Sequence, residues 1–239
     1  MKGTSQKFAV VAASLAIALA ACGGGGVSTV PAPAEFDLQA GITNMVAHGF
    51  TANVSLSGTA IVNGTSTPFT GSGTYTRAPA VNGTFNGAAA LSQTVTISGT
   101  ISAAGQSAPY STSVIEYYAT GNSAFLGEDA GVEYDVAQTP FDFPAMVVGG
   151  STGILGTVSR YTDKNMGVSI GTAQVSYSVN TPIDPGSPIL ITLTNKIYDT
   201  QNTLTETDMT SYTMTSGNVI SFASASAQGE SGTLTITAQ

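Results

Sequence analysis

The sequence predicts an all-β fold, an antiparallel sandwich or half-closed barrel of about a dozen strands with one short N-terminal helix. Three observations lead there. From Phe50 onward, apolar residues recur at every second position. Asn-Gly dipeptides and polar tetrads interrupt that pattern at short intervals. No long helical pattern separates the candidate strands. Alternation over about four to eight residues marks a strand with one buried face. Closely spaced turns call for antiparallel pairing, because parallel neighbours need a crossover of about a dozen residues.

The chain begins differently. Lys2 and Lys7 form a charged start, Phe8 to Ala21 is almost wholly apolar, and Leu19-Ala20-Ala21-Cys22 leads into Gly23 to Gly26. This is the layout of an export signal: basic, apolar, then small residues at a cut site. A membrane span needs about 20 apolar residues, and this run is shorter. The Leu-Ala-Ala-Cys tetrapeptide resembles the lipobox of bacterial lipoproteins. The resemblance implies that residues 1–21 are a signal peptide removed before Cys22. It implies too that Cys22 carries a diacylglyceryl thioether with acyl chains of the palmitate kind. With its Cys-Gly-rich start, the chain is similar to outer-membrane lipoproteins of Gram-negative bacteria. A lipid anchor on Cys22 in the cell envelope is what that similarity implies.

Residues 22–35 then form the lipidated Cys and a flexible tether. Glycines loosen it, Pro31 and Pro33 stiffen its far end, and as a coil it spans roughly 20 Å. The β domain is expected over 36–239. It opens with a helix at 36–48, where Leu38, Ile42, Met45 and Val46 make one apolar stripe. Asp37 can cap the helix and Gly49 can end it, while Gly41 weakens it. The stripe is expected to cover apolar surface of the β domain.

The strands follow. Phe50, Ala52, Val54 and Leu56 alternate with polar residues, as do Val95 and Ile97. Val114 shares a face with Tyr110 and Tyr118. Val175, Tyr177 and Val179, then Ile189, Ile191 and Leu193, then Leu234 and Ile236, repeat the device. Asn63-Gly64, Asn82-Gly83 and Asn86-Gly87 read as hairpin dipeptides. Ser-Gly-Thr recurs at 57–59, 72–74, 98–100 and 231–233. Its irregular spacing is not a solenoid period, and glycine within a strand marks a bend. Such bends are what a curved sheet needs. Pro140, Pro144 and Gly149-Gly150 allow a boundary, so 50–137 and 145–239 are either one sheet or two packed halves.

Charge narrows the function classes. Cleavage before Cys22 removes Lys2 and Lys7, leaving Arg77, Arg160, Lys164 and Lys196 against 14 carboxylates. There is no basic patch to neutralise phosphates, so no nucleic-acid partner is expected. Electrostatic docking on anionic head groups is excluded on the same ground, which leaves the lipid as the membrane contact. Cys22 is the only cysteine, so no disulfide or thiol pair is expected.

Few motifs suggest chemistry. Gly149-Gly150-Ser151-Thr152-Gly153 matches a nucleophile-elbow pattern, but that chemistry needs a strand-to-helix turn and a histidine base. Strand-like residues follow Ser151, and the only histidine, His48, lies on the helix, so a hairpin turn is the better reading. His48 itself suits a helix C-terminus. Glu128, Asp129, Glu133 and Asp135 are weak calcium candidates, since carboxylates are what that ion takes, but the EF-hand spacing is missing. Glu133 and Asp135 are expected on the solvent face of a strand, opposite Val132 and Tyr134. No cofactor, no zinc or transition metal and no catalytic residues are assigned. The chain therefore reads as a non-catalytic, lipid-anchored envelope protein, a structural or binding module whose partner is a protein or an apolar ligand. A carrier for apolar or lipid ligands is the alternative. A hydrolase using the acidic cluster at 128–142 is the third reading. A carrier needs an unfilled cavity of several hundred Å³, whereas a structural module is packed solid.

Overall fold

A computed structural model describes residues 34–239 apart from 63, 64, 183 and 185. The signal, Cys22, most of the tether and Asn63-Gly64 lie outside the described residues. The strands are β1 (Glu35–Asp37), β2 (Phe50–Val62), β3 (Thr65–Arg77), β4 (Val81–Phe85), β5 (Ala88–Ala103), β6 (Gln106–Tyr118), β7 (Phe125–Asp129) and β8 (Tyr134–Phe141). They continue with β9 (Met146–Val148), β10 (Thr152–Tyr161), β11 (Ser169–Val179), β12 (Ile189–Tyr198), β13 (Leu204–Met214), β14 (Ile220–Gly229) and β15 (Gly232–Ala238). Among the described residues the single helix, α1, is Leu38–His48.

The fold is all-β and antiparallel, and the sheet closes. Twelve strands form a barrel in the order β2-β15-β14-β13-β12-β11-β10-β8-β7-β6-β5-β3, with β3 pairing back to β2. The closing pair is β3 with β5, from Phe69↔Ala103 to Arg77↔Val95. The sequence alone left a sandwich or a half-closed barrel; pairing of β3 with both β2 and β5 leaves the barrel no free edge. The stretches 50–137 and 145–239 share this sheet through β8–β10 and β2–β15. Strand β4 adds to β5 outside the ring, and β1 pairs with β9 in a separate two-stranded sheet.

Two of the Ser-Gly-Thr glycines show why the wall bends where it does. Gly73 and Gly99 face each other across the closing pair, and a Cβ on either would lie 2.1–2.2 Å from a carbonyl of the other strand. Only residues without a side chain let the strands approach so closely. The Asn-Gly dipeptides among the described residues divide. Asn86-Gly87 is a tight hairpin with both residues at positive φ, as its sequence predicts. Asn82-Gly83 is not a turn; it lies within β4, paired to Leu91 and Ala90.

Helix α1 plugs one end of the barrel. Asp37 Oδ1 accepts from Ala40 N at 2.9 Å, and Gly49, at φ 61°, ends the helix with its N–H on Met45 O. Leu38, Ile42, Met45 and Val46 are all buried, as their spacing requires. Gly41 belongs to the same face: a Cβ there would stand 3.0 Å from Ile220 and Met214, so glycine brings the helix close to β13 and β14. Below the plug, Tyr75 stacks on Phe222 at 4.2 Å and on Phe50 at 5.8 Å.

The outer wall is polar. Hydroxyl pairs run across it, among them Thr59–Thr233, Thr74–Ser98, Thr192–Ser211 and Thr213–Ser221. A membrane-spanning barrel presents an apolar band outward instead. Among the described residues no helix is long and apolar enough to cross a membrane.

Candidate ligand-binding lumen

The inward face changes character along the strands. On β13 the inward residues run Met214, Tyr212, Thr210, Asp208 and Glu206, from the plugged end toward the open one. Met214 packs under the helix, and the polar residues below it enter open space. An inner chamber of about 250 Å³ lies there, bounded by Ile42 and Met45 of the plug, by Phe125 and Leu193, and by a ring of polar side chains. A second chamber of about 470 Å³ occupies the open mouth. Leu56, Phe69, Ile101, Tyr110 and Leu234 make its walls apolar. It stays hollow because other wall positions are small: Ala60, Ala103, Ala227 and Gly229. Strands β6 and β13 contribute to both chambers, with Glu206 in the mouth and Asp208 inside.

The ceiling of the inner chamber is an ion pair. Arg77 donates to both carboxylate oxygens of Glu116 at 2.6 and 2.7 Å, and the side chains are 6% and 12% exposed. Tyr118 also donates to Glu116. Arg77 donates further to Tyr75 Oη at 3.0 Å, Tyr212 Oη at 3.2 Å and Gln93 Oε1 at 2.8 Å. Gln93, fully buried, passes the link to the plug by donating to Met45 O and Val46 O. Burial opposes the charge on Arg77, but Glu116 outweighs it and holds the guanidinium well above its ordinary value. Burial pushes the Tyr75 and Tyr118 hydroxyls up, so both stay protonated.

The wall below is acidic. Glu116, Glu128 and Asp135 stand side by side on β6, β7 and β8, and Arg160 of β10 follows in register. Arg160 pairs with Glu133 and lies 3.8 Å from Asp135. Asp208 faces Asn195 across β13 and β12. Among the described residues, neither Glu128 nor Asp208 has a cation within ion-pair distance. Burial, with Glu116 and Glu133 adding, pushes the Glu128 carboxyl up to about 7. Burial also raises Asp135, with Glu128 reinforcing it, and raises Asp208, with Glu206 reinforcing it. Among the described residues, three buried side-chain oxygens have no hydrogen-bond partner: Oδ1 of Asp135, of Asn195 and of Asp208.

The residues singled out in the sequence divide. Glu128 and Asp135 meet in the lumen, whereas Asp129 closes a turn by accepting from Gly131 N at 2.8 Å. The expectation that Asp135 faces solvent is reversed: it is 4% exposed and points inward, while Tyr134 is buried on the outside beneath Phe85. The cause is tertiary, because the β4–β5 hairpin folds over that part of the wall. No group of three acidic or histidine side chains among the described residues is placed to hold a metal ion. Ser151 is a turn residue, accepting from Val148 N at 3.0 Å between β9 and β10, which are not paired, so the turn is no hairpin. His48 ends the helix with Nδ1 3.0 Å from Asn44 O. Sequence reasoning missed Arg77, Glu116, Glu206 and Asp208, although each sits on the inward side of an alternating strand. Comparison of the chain with protein-family models, curated proteins and solved structures finds no match.

Proposed function

We propose that this chain is a lipid-anchored binding protein of the cell envelope that takes a small amphipathic ligand into the lumen of its barrel. One observation carries the reading: the lumen is hollow where a structural module would be packed. Its mouth chamber, about 470 Å³, is in the range of small-molecule sites, and the inner chamber of about 250 Å³ adds a few convergent polar groups to those apolar walls. The anchor rests on the lipobox resemblance at Cys22 and the Gly-rich tether. Phe36, the second residue of β1, packs with the plug residues, so β1 joins the barrel at its closed end. The mouth lies at the other end of the strands, away from that junction. Binding, with no chemical step, is the whole of this reading, and it serves an outer-membrane protein on either face.

The test uses N-phenyl-1-naphthylamine, an apolar dye uncharged at neutral pH, and the unlipidated Cys22→Ser protein. One dye per barrel is expected, with emission shifted to the blue. Ala227→Trp, which fills the mouth, is expected to abolish it. Dye binding that ignores Ala227→Trp places the apolar site elsewhere and contradicts the proposal.

A further inference from the structure

We infer that the ligand of this lumen is an amphipathic organic cation, its ammonium group in the inner chamber that Glu128, Asp135 and Asp208 line and its apolar body lying in the mouth. The inference rests on the reading of the lumen as a binding site and adds the ligand's chemical class.

Charge bookkeeping along the wall leads to it. Arg77 is taken by Glu116, and Arg160 by Glu133 and Asp135. That leaves Glu128 and Asp208 with no cation within ion-pair distance among the described residues. The second observation is independent of charge. The unpartnered buried atoms of the chamber are all oxygens that accept: Oδ1 of Asp135, Asn195 and Asp208. Asp135 is the strongest case, its side chain 6% exposed and its other oxygen turned toward Arg160. A chamber short of donors and rich in acceptors calls for a ligand made of donors. An alkylammonium carries three N–H donors and a positive charge. A fatty acid brings acceptors and a like charge, and is excluded. A calcium ion takes about six to eight oxygens, and among the described residues no three carboxylates are placed to share one.

The neighbours of these carboxylates set the pH response. Asp208 faces Glu206 on its own strand, Asn195 on β12 and Arg160 on β10. Around the ring stand Glu128 and Asp135 with Glu133, then Glu116 and Tyr118, and at the ceiling Arg77, Tyr75 and Tyr212. The plug contributes only Ile42 and Met45. In the empty chamber, burial and mutual repulsion favour the protonated carboxyls. An ammonium favours the ionised form, so its entry expels protons. Amine affinity must therefore rise with pH until the amine itself loses its proton, near 10.

Calorimetry on the detergent-free Cys22→Ser protein, with octylamine, octanol, octanoate and Ca²⁺, tests this. Octylamine is expected to bind one per chain, about tenfold tighter than octanol at pH 8. Its affinity should rise about tenfold from pH 6 to pH 8, with heats that vary with buffer ionisation enthalpy because protons are released. Glu128→Gln and Asp208→Asn should each lower the octylamine-to-octanol affinity ratio about fivefold, a readout that does not depend on equal folding. Equal affinity for octylamine and octanol, with Ala227→Trp abolishing both, overturns the cation inference and leaves the binding lumen standing. Tighter binding of octanoate, or of Ca²⁺ in place of the amine, overturns it too. If none of the four binds, both readings fall.

Discussion

Arg77 grips Glu116 through two guanidinium nitrogens, 2.6 and 2.7 Å from the two carboxylate oxygens, inside the barrel and directly beneath the helix that plugs it. The pair joins β3 to β6 across β5, and Gln93 of β5 ties it to the helix carbonyls. Breaking a buried pair leaves the remaining charge uncompensated. Arg77→Met should therefore lower stability by about 3–5 kcal/mol in urea denaturation. Arg77→Met combined with Glu116→Gln should recover part of that loss. A single variant as stable as the parent shows that the pair is wet and dispensable.

The acidic wall makes stability fall as pH rises. Glu128 titrates near 7 in the folded barrel, against an ordinary value of 4.5. The folded state holds more protons between those values, so the contribution present below pH 4.5 is lost as pH climbs through 7. The loss is on the order of 1–3 kcal/mol for this group. Asp135 and Asp208, also raised, act in the same direction. Urea midpoints should be higher at pH 5 than at pH 8, and Glu128→Gln should flatten the difference. A protein most stable at pH 8 is incompatible with carboxylates buried in the lumen.

Closure of the barrel depends on Gly73. A Cβ at that position meets Ser98 O at 2.1 Å, and the contact is backbone that cannot turn aside. Gly73→Ala should cost about 1–3 kcal/mol or more, the usual range for forced overpacking. Gly121→Ala is the control, because no atom lies within 4 Å of its Cβ position. Thermal melts that treat the two variants alike contradict the β3–β5 closure.

The helix is a plug and not a gate, because the lumen opens at the other end. Leu38 is fully buried and Ile42 is 4% exposed. Either residue changed to Ala should cost about 2–5 kcal/mol. Amides of residues 42–48 should exchange with deuterium as slowly as those of the strand centres. Rapid exchange there, with the strands still protected, makes the helix a moving lid.

Much of this architecture was readable from alternation alone. The stripe of α1, its Asp37 cap and the inward faces of Val54, Ile191 and Ile236 follow from periods of 3.6 and 2. The lumen's charges were readable by the same rule. Glu116 falls between Val114 and Tyr118, Arg77 follows Tyr75, and Asp208 precedes Tyr212, each a charge on an otherwise buried face. Hollowness had a signal as well, in the small residues Ala225 and Ala227 alternating with serines. What alternation cannot show is which sheet edges meet. Closure needs β3 to find β5 in one register, a long-range choice. Nor does alternation say which face of residues 132–135 is inside, since the β4–β5 hairpin buries Tyr134 from without.

Entry of a ligand into the hollow lumen through its mouth is tested most directly by diffraction from crystals soaked in octylamine brominated at its terminal carbon. One anomalous bromine peak is expected in the mouth chamber, near Phe69, Ile101 and Leu234, with the nitrogen toward Asp208. Bromine only on the outer wall, or a lumen already filled by its own side chains, contradicts it.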